Sequence, residues 1–221
     1  SDFQAYAVWG NADEADAECI AHKMTYKVNK DGTWTCEEER QYKILTENGR
    51  QDLKTQTFWY DAAREKHEVL SASTLTTAEE YLVKKLEDKS VASDSLSLRD
   101  MHQILVPFKR VQIGSILQLK TRKTFFKPQL EKYFTHQIDF QDPYVWKKTD
   151  IHIESDLPLF PRINDPRNRL IVCQAQDNAK YTLDITLKEP IFEVLVNESR
   201  NSVPEPGLFT TIELSTEATY E

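Results

Sequence analysis

The sequence predicts an all-β chain folded as an antiparallel β-sandwich with many strands and little helix. Three observations carry this prediction. Apolar residues recur with a period of two over most of the chain. Turn formers and prolines punctuate these runs at short intervals. Little of the chain has the composition of a helix: Thr76 to Val91, and the uncapped "EADAECIA" stretch near the N-terminus, which could extend a short one.

The first 18 residues are Ala- and acid-rich and read as an N-terminal arm that packs through Trp9. Residues 19–216 form the predicted sandwich domain, and residues 217–221 begin a linker. From Met24 the alternation is regular, with Met24, Tyr26 and Val28 on one face and Thr25, Lys27 and Asn29 on the other. Asp31-Gly32 supplies a tight turn, because glycine takes positive φ at little steric cost. The return strand carries Trp34, Cys36, Tyr42 and Ile44 on one face, and Asn48-Gly49 reads as a second turn. Further strands are expected at Lys54–Tyr60, Lys66–Thr74, His102–Phe108, Gly114–Phe125, Glu131–Phe140, Lys148–Ser155, Arg169–Gln176, Lys180–Leu187 and Gly207–Ser215. The clearest places Tyr181, Leu183, Ile185 and Leu187 against Thr182, Asp184, Thr186 and Lys188. Thr76–Val91 reads as helix by propensity, with a capping-box-like Thr77-x-x-Glu80.

Composition narrows the function. The 221 residues carry a formal charge of −8, which gives no electrostatic footprint for nucleic acid or for an anionic membrane surface. No apolar run approaches the roughly 18 residues that span a bilayer. Three cysteines are too few for a disulfide scaffold. The turn at Asp31 sets Cys36 opposite Tyr26 rather than Cys19, so all three are read as free thiols, buried and unreactive.

The densest polar cluster is Cys36-Glu37-Glu38-Glu39-Arg40. Strand periodicity divides it. Glu37 and Glu39 share a face with Thr35 and Gln41, while Glu38 and Arg40 lie beside each other on the face of Trp34 and Tyr42. Paired carboxylates in acid–base catalysis must converge on one substrate with their pKa values pushed apart. The cluster is instead read as a solvated hairpin with one Glu38–Arg40 ion pair. The five histidines are scattered and the glycines isolated, so no metal, cofactor or phosphate loop is expected. Asn197-Glu198-Ser199 matches a glycosylation sequon. Trp59, Tyr60 and Trp146 are the candidate ligand-stacking aromatics, with Trp34 and Tyr144 beside them, and they motivate an alternative reading as a carbohydrate- or cell-wall-binding module.

The chain resembles the bacterial domain of unknown function found N-terminal to transglutaminase-like domains in exported multidomain proteins. The resemblance is carried by "VNKDGTWTCEEERQYKILTENG" (Val28 to Gly49), "FWYDAAREKHEVLSAST" (Phe58 to Thr74), "VPFKRVQIGSILQLKTR" (Val106 to Arg122), "FQDPYVWKKTDIHI" (Phe140 to Ile153) and "KEPIFEVLVNE" (Lys188 to Glu198). It implies a β-sandwich, export to the periplasm or cell surface, and strand and loop rather than helix over Thr76–Val91. It also implies that a transglutaminase-like Cys-His-Asp domain follows in the same polypeptide as this module's partner. None of Cys19, Cys36 or Cys173 stands in the Gly-x-Cys context of that catalytic site. The expectation is a non-catalytic accessory module that binds its neighbouring domain, another protein or cell-wall glycan.

Overall fold

The computed structural model describes residues 7–8, 12–91, 99–128, 130–195 and 207–217. The expected anchor Trp9 and the sequon at Asn197 lie outside them. In chain order the strands are β1 (Ala7–Val8), β2 (Ala17–Val28), β3 (Trp34–Ile44), β4 (Thr55–Asp61), β5 (Glu65–Leu75), β6 (Glu80–Leu82), β7 (Glu87–Ser90), β8 (Met101–Pro107) and β9 (Ile116–Phe125). They continue with β10 (Thr135–Asp139), β11 (Tyr144–Trp146), β12 (Asp150–Ser155), β13 (Arg162–Asn164), β14 (Leu170–Asp177), β15 (Lys180–Leu187), β16 (Val194–Leu195) and β17 (Thr211–Ser215). One α-helix, α1 (Glu47–Leu53), and a short 3-10 turn at Ala12–Glu14 complete the described elements.

The fold is all-β. A nine-stranded sheet in the order β14-β15-β12-β2-β3-β9-β5-β6 forms one layer, with β11 also paired to β2. Its pairings are antiparallel except along β2, which is met in parallel by β11 near Ala17 and by β12 from Lys23 onward. Two three-stranded sheets, β4-β8-β7 and β10-β17-β13, contribute side chains to the inner face of the large sheet. Phe58 and Tyr60 of β4 meet His67 of β5, and Phe134 and His136 of β10 meet Tyr26 and Trp34. The opposite face of β3 and β9 is wet and laced with ion pairs, Glu37–Arg122 at 2.5 Å and Glu39–Lys120 at 3.2 Å.

The β2–β3 hairpin forms as its alternation requires, with Tyr26 opposite Cys36. Gly32 has φ +89°, and a Cβ there would stand 2.9 Å from the Tyr133 backbone nitrogen. A bulge between Cys19 and Ala21 shifts the phase of β2. Ala17 and Cys19 are buried before it, and His22, Met24, Tyr26 and Val28 after it. Leu183 and Ile185 are buried as their strand pattern predicts.

Two local expectations are corrected. Asn48-Gly49 is not a turn between strands but lies in α1, whose N-cap Thr46 accepts a hydrogen bond from the Gly49 N–H at 3.1 Å. Thr76–Val91 is strand and loop, as the family resemblance implied and propensity did not. Thr76 rather than Thr77 bonds the local backbone there, accepting from the Ala78 and Glu79 N–H groups.

Candidate functional site

On the inner face of the large sheet, strand alternation places Glu38 and Arg40 of β3 in line with Trp34, Cys36 and Tyr42. The hairpin register sets His22 on the same face, directly opposite Arg40 and in phase with Met24 and Tyr26. Glu38 is thereby held from two sides. His22 Nε2 lies 2.9 Å from Glu38 Oε2, and Arg40 Nη2 donates to the same oxygen at 3.0 Å. Arg40 Nη1 donates onward to the Tyr42 hydroxyl at 3.1 Å, and Thr149 Oγ1 approaches His22 Nδ1 at 3.4 Å. The side chains of Glu38 and Arg40 are only 14% and 29% exposed, so the predicted pair is real but faces the core side rather than a solvated hairpin surface.

A second pair, of a half-buried lysine with a buried glutamate, continues this polar strip across β9 and β5. Lys123 Nζ contacts Glu65 at 3.0 Å and lies 5.7 Å above the Trp34 ring, with His67 opposite it in register. His136 packs edge-on to Tyr26 and Trp34.

The electrostatics of the strip lock its charges. Burial pushes the Glu38 carboxyl up, but the Arg40 charge and the His22 hydrogen bond outweigh it and hold the group at about 2. Burial lowers His22 and His67, and burial together with Lys123 lowers His136 to about 4. Burial pushes both the Cys19 and Cys36 thiols up to about 12. A nucleophilic thiol requires the opposite shift. No three His, Cys, Asp or Glu side chains converge as a metal set among the described residues.

The sequence-selected aromatics are not brought together. Trp146 is buried, 5.1 Å from the His22 ring and 5.5 Å from Phe140, and is core. Tyr60 is buried too, with its hydroxyl donating to Asp88 at 2.9 Å. Trp34 and Tyr144 are likewise buried. Trp59 alone of the set is open, at 54% exposure, because successive residues of β4 point to opposite faces. The three thiols are free, but Cys173 is exposed, against the expectation that all three are buried. Its strand β14 is wet on both faces from Ile171 to Asp177. Sequence reading missed His22, Glu65, Lys123 and His67. The signal for His22 was available, since two steps back from Met24 and Tyr26 along their shared face lead to it.

No helix among the described residues is long and apolar enough to cross a membrane. The fold superposes on a crystal structure from Parabacteroides distasonis ATCC 8503, described as a "putative protease", with a TM-score of 0.77 and 11% identity. The match covers 91% of this chain and 40% of that one. An M1 zinc metallopeptidase from Deinococcus radiodurans aligns over 90% of this chain and 42% of its own, at 9% identity and a TM-score of 0.34. The chain thus spans about two fifths of the length of these solved chains. No curated protein matches the sequence. Residues 30–191 match the model of DUF3857, a domain of unknown function with a solved structure, and the chain belongs to that family.

Proposed function

We propose that the chain is a non-catalytic accessory module of a larger exported, protease-like protein, positioned ahead of a transglutaminase-like domain. One observation carries the non-catalytic reading. The titratable groups gathered on the inner face are mutually neutralised, with Glu38 held between His22 and Arg40, while the two buried thiols are pushed up to about 12. Such a network fixes strand packing rather than generating a nucleophile. The placement beside a protease domain is supported by the fold match, in which a module of this shape occupies 40% of a longer chain. Export follows from the family resemblance.

Two measurements test the reading. The purified chain is expected to leave fluorogenic peptides uncut, and iodoacetamide is expected to label the exposed Cys173 alone. Turnover, or rapid labelling of Cys19 or Cys36, defeats the non-catalytic assignment. Co-expression with a following transglutaminase-like domain is expected to slow amide exchange over 209–214 in β17, and unchanged exchange across the module defeats the accessory assignment.

A second reading, a glycan-binding module, is favoured only by Trp59 on the open face of β4. It requires glycan-array binding that is lost in Trp59→Ala.

A further inference from the structure

The last strand of the large sheet has an uncovered edge. β14 pairs with β15 on one side, and no described strand pairs with the other. The β14–β15 register, Asp177 opposite Lys180 and Leu170 opposite Leu187, fixes which backbone groups point outward. The Lys188 N–H donates to the Arg169 carbonyl at 2.6 Å, so the odd-numbered residues of β14 exchange hydrogen bonds with β15. The N–H and C=O groups of Val172, Gln174 and Gln176 therefore face the open edge.

Natural sheets blunt such an edge with lysines, prolines or a covering loop. This one presents Ile171 at 47% and Val172 at 41% exposure, the exposed thiol of Cys173, and no charge until Asp177 at its end. A groove of about 470 Å³ runs beside it, lined by Pro158, Leu159, Phe160 and the Gln174–Gln176 stretch of β14.

We propose that this edge pairs with the same edge of a second copy of the chain, antiparallel about a two-fold axis through Cys173. The occupant follows from charge and register. Only outward-facing residues of even number can exchange hydrogen bonds across the new interface, so a two-fold at Cys173 bonds Val172 of each copy to Gln174 of the other. The same register sets Ile171 opposite Ala175 and Arg169 opposite Asp177, so a cation that also pairs with Glu189 in its own copy meets an anion at both ends. Shifting the axis by one residue to Gln174 puts Ile171 against Asp177, and shifting it to Val172 puts Arg169 against Ala175. Val172 of the second copy arrives opposite Gln174, at the mouth of the groove beside Leu159 and Phe160. Cys173 meets its own copy in a non-hydrogen-bonded pair, where Cα atoms lie about 4.5 Å apart, within the range a disulfide spans.

The test is sedimentation equilibrium of the purified chain under reducing conditions, followed by oxidation. A monomer–dimer equilibrium with Kd on the order of 10–100 μM is expected, and a chain that stays monomeric to about 1 mM overturns the proposal. Diamide takes up the two electrons and two protons released as two thiols become one disulfide. It is expected to convert the wild-type chain to a covalent dimer and to leave Cys173→Ser monomeric on non-reducing gels. Val172→Pro removes an N–H that faces away from β15, so circular dichroism is expected to be unchanged while association weakens about tenfold or more. Asp177→Lys tests the register independently of proline. It is expected to weaken association, and pairing it with Arg169→Glu is expected to restore it. A dimer indifferent to Val172→Pro, or a double exchange that fails to restore association, overturns the proposal.

Discussion

Glu37 and Glu38 are chain neighbours with opposite environments, and the contrast shows how strongly strand phase decides the energetics of a single residue. Glu37 points to the wet face and bonds Arg122, both about two fifths exposed. Glu38 points inward, where its charge balances Arg40 and it accepts from the His22 side chain. Removing the inward charge leaves a partly buried guanidinium without a counter-ion, which is costly, whereas an exposed pair contributes little. Glu38→Gln is therefore expected to cost about 2–3 kcal/mol in urea denaturation, and Glu37→Gln less than about 1 kcal/mol. Equal effects would mean that the inner strip is as well hydrated as the outer face. Alternation in the sequence separated the two glutamates and paired Glu38 with Arg40. It did not reveal depth, because alternation fixes which face a side chain takes and not what packs over that face.

At the scale of elements, local propensity misled where a tertiary contact overrides it. α1 opens at Thr46, whose hydroxyl donates to Asp16 Oδ1 at 2.6 Å, and the Asp16 carbonyl accepts from the Leu45 and Thr46 N–H groups. That carbonyl presses against the helix at Gly49, where a Cβ would fall 2.1 Å from it. Intrinsic helix propensity favours Gly49→Ala by roughly 1 kcal/mol. The clash with backbone must reverse that sign, so the variant is expected to lose about 2 kcal/mol or more of stability in thermal melts. A stabilised variant would mean that the Asp16 segment moves freely. The segment from Thr76 to Val91 misled in the same way: helix formers there serve as the short strands β6 and β7, because β5 and β8 offer edges to pair with. By contrast β15 was readable to the residue, since its alternation coincides with burial of Leu183 and Ile185. The parallel arrival of β11 and β12 on β2 was not readable, because no local signal distinguishes parallel from antiparallel partners for a short apolar run.

For the whole molecule, the polar strip makes stability depend on acid in two separate windows. His136 sits edge-on to Tyr26 and Trp34, with Lys123, Glu38 and Glu65 as the charges nearest in effect, and burial first and Lys123 second lower it from 6.5 to about 4. The unfolded chain then binds a proton that the folded chain refuses, so stability is full above about pH 6.5 and falls as pH drops toward 4. Burial drives His22 and His67 in the same direction. Glu38 acts lower down. Despite its burial, Arg40 and His22 hold it at about 2 instead of 4.5, so its contribution is intact above pH 4.5 and is lost as pH falls through 2. His152 opposes the upper window, since its bond to Asp184 at 2.6 Å raises its pKa, but it lies on the exposed face, where such pairs contribute little. Thermal melts from pH 7 to 4 are expected to show stability declining by on the order of 2–3 kcal/mol from His136 alone. His136→Phe keeps a ring in the same aromatic contacts and removes the titration, so it is expected to flatten the decline between pH 6.5 and 4 while leaving the steeper loss below pH 4.5. An unchanged slope in that variant would show that His136 is hydrated in the folded chain and that the acid response arises elsewhere on the sheet.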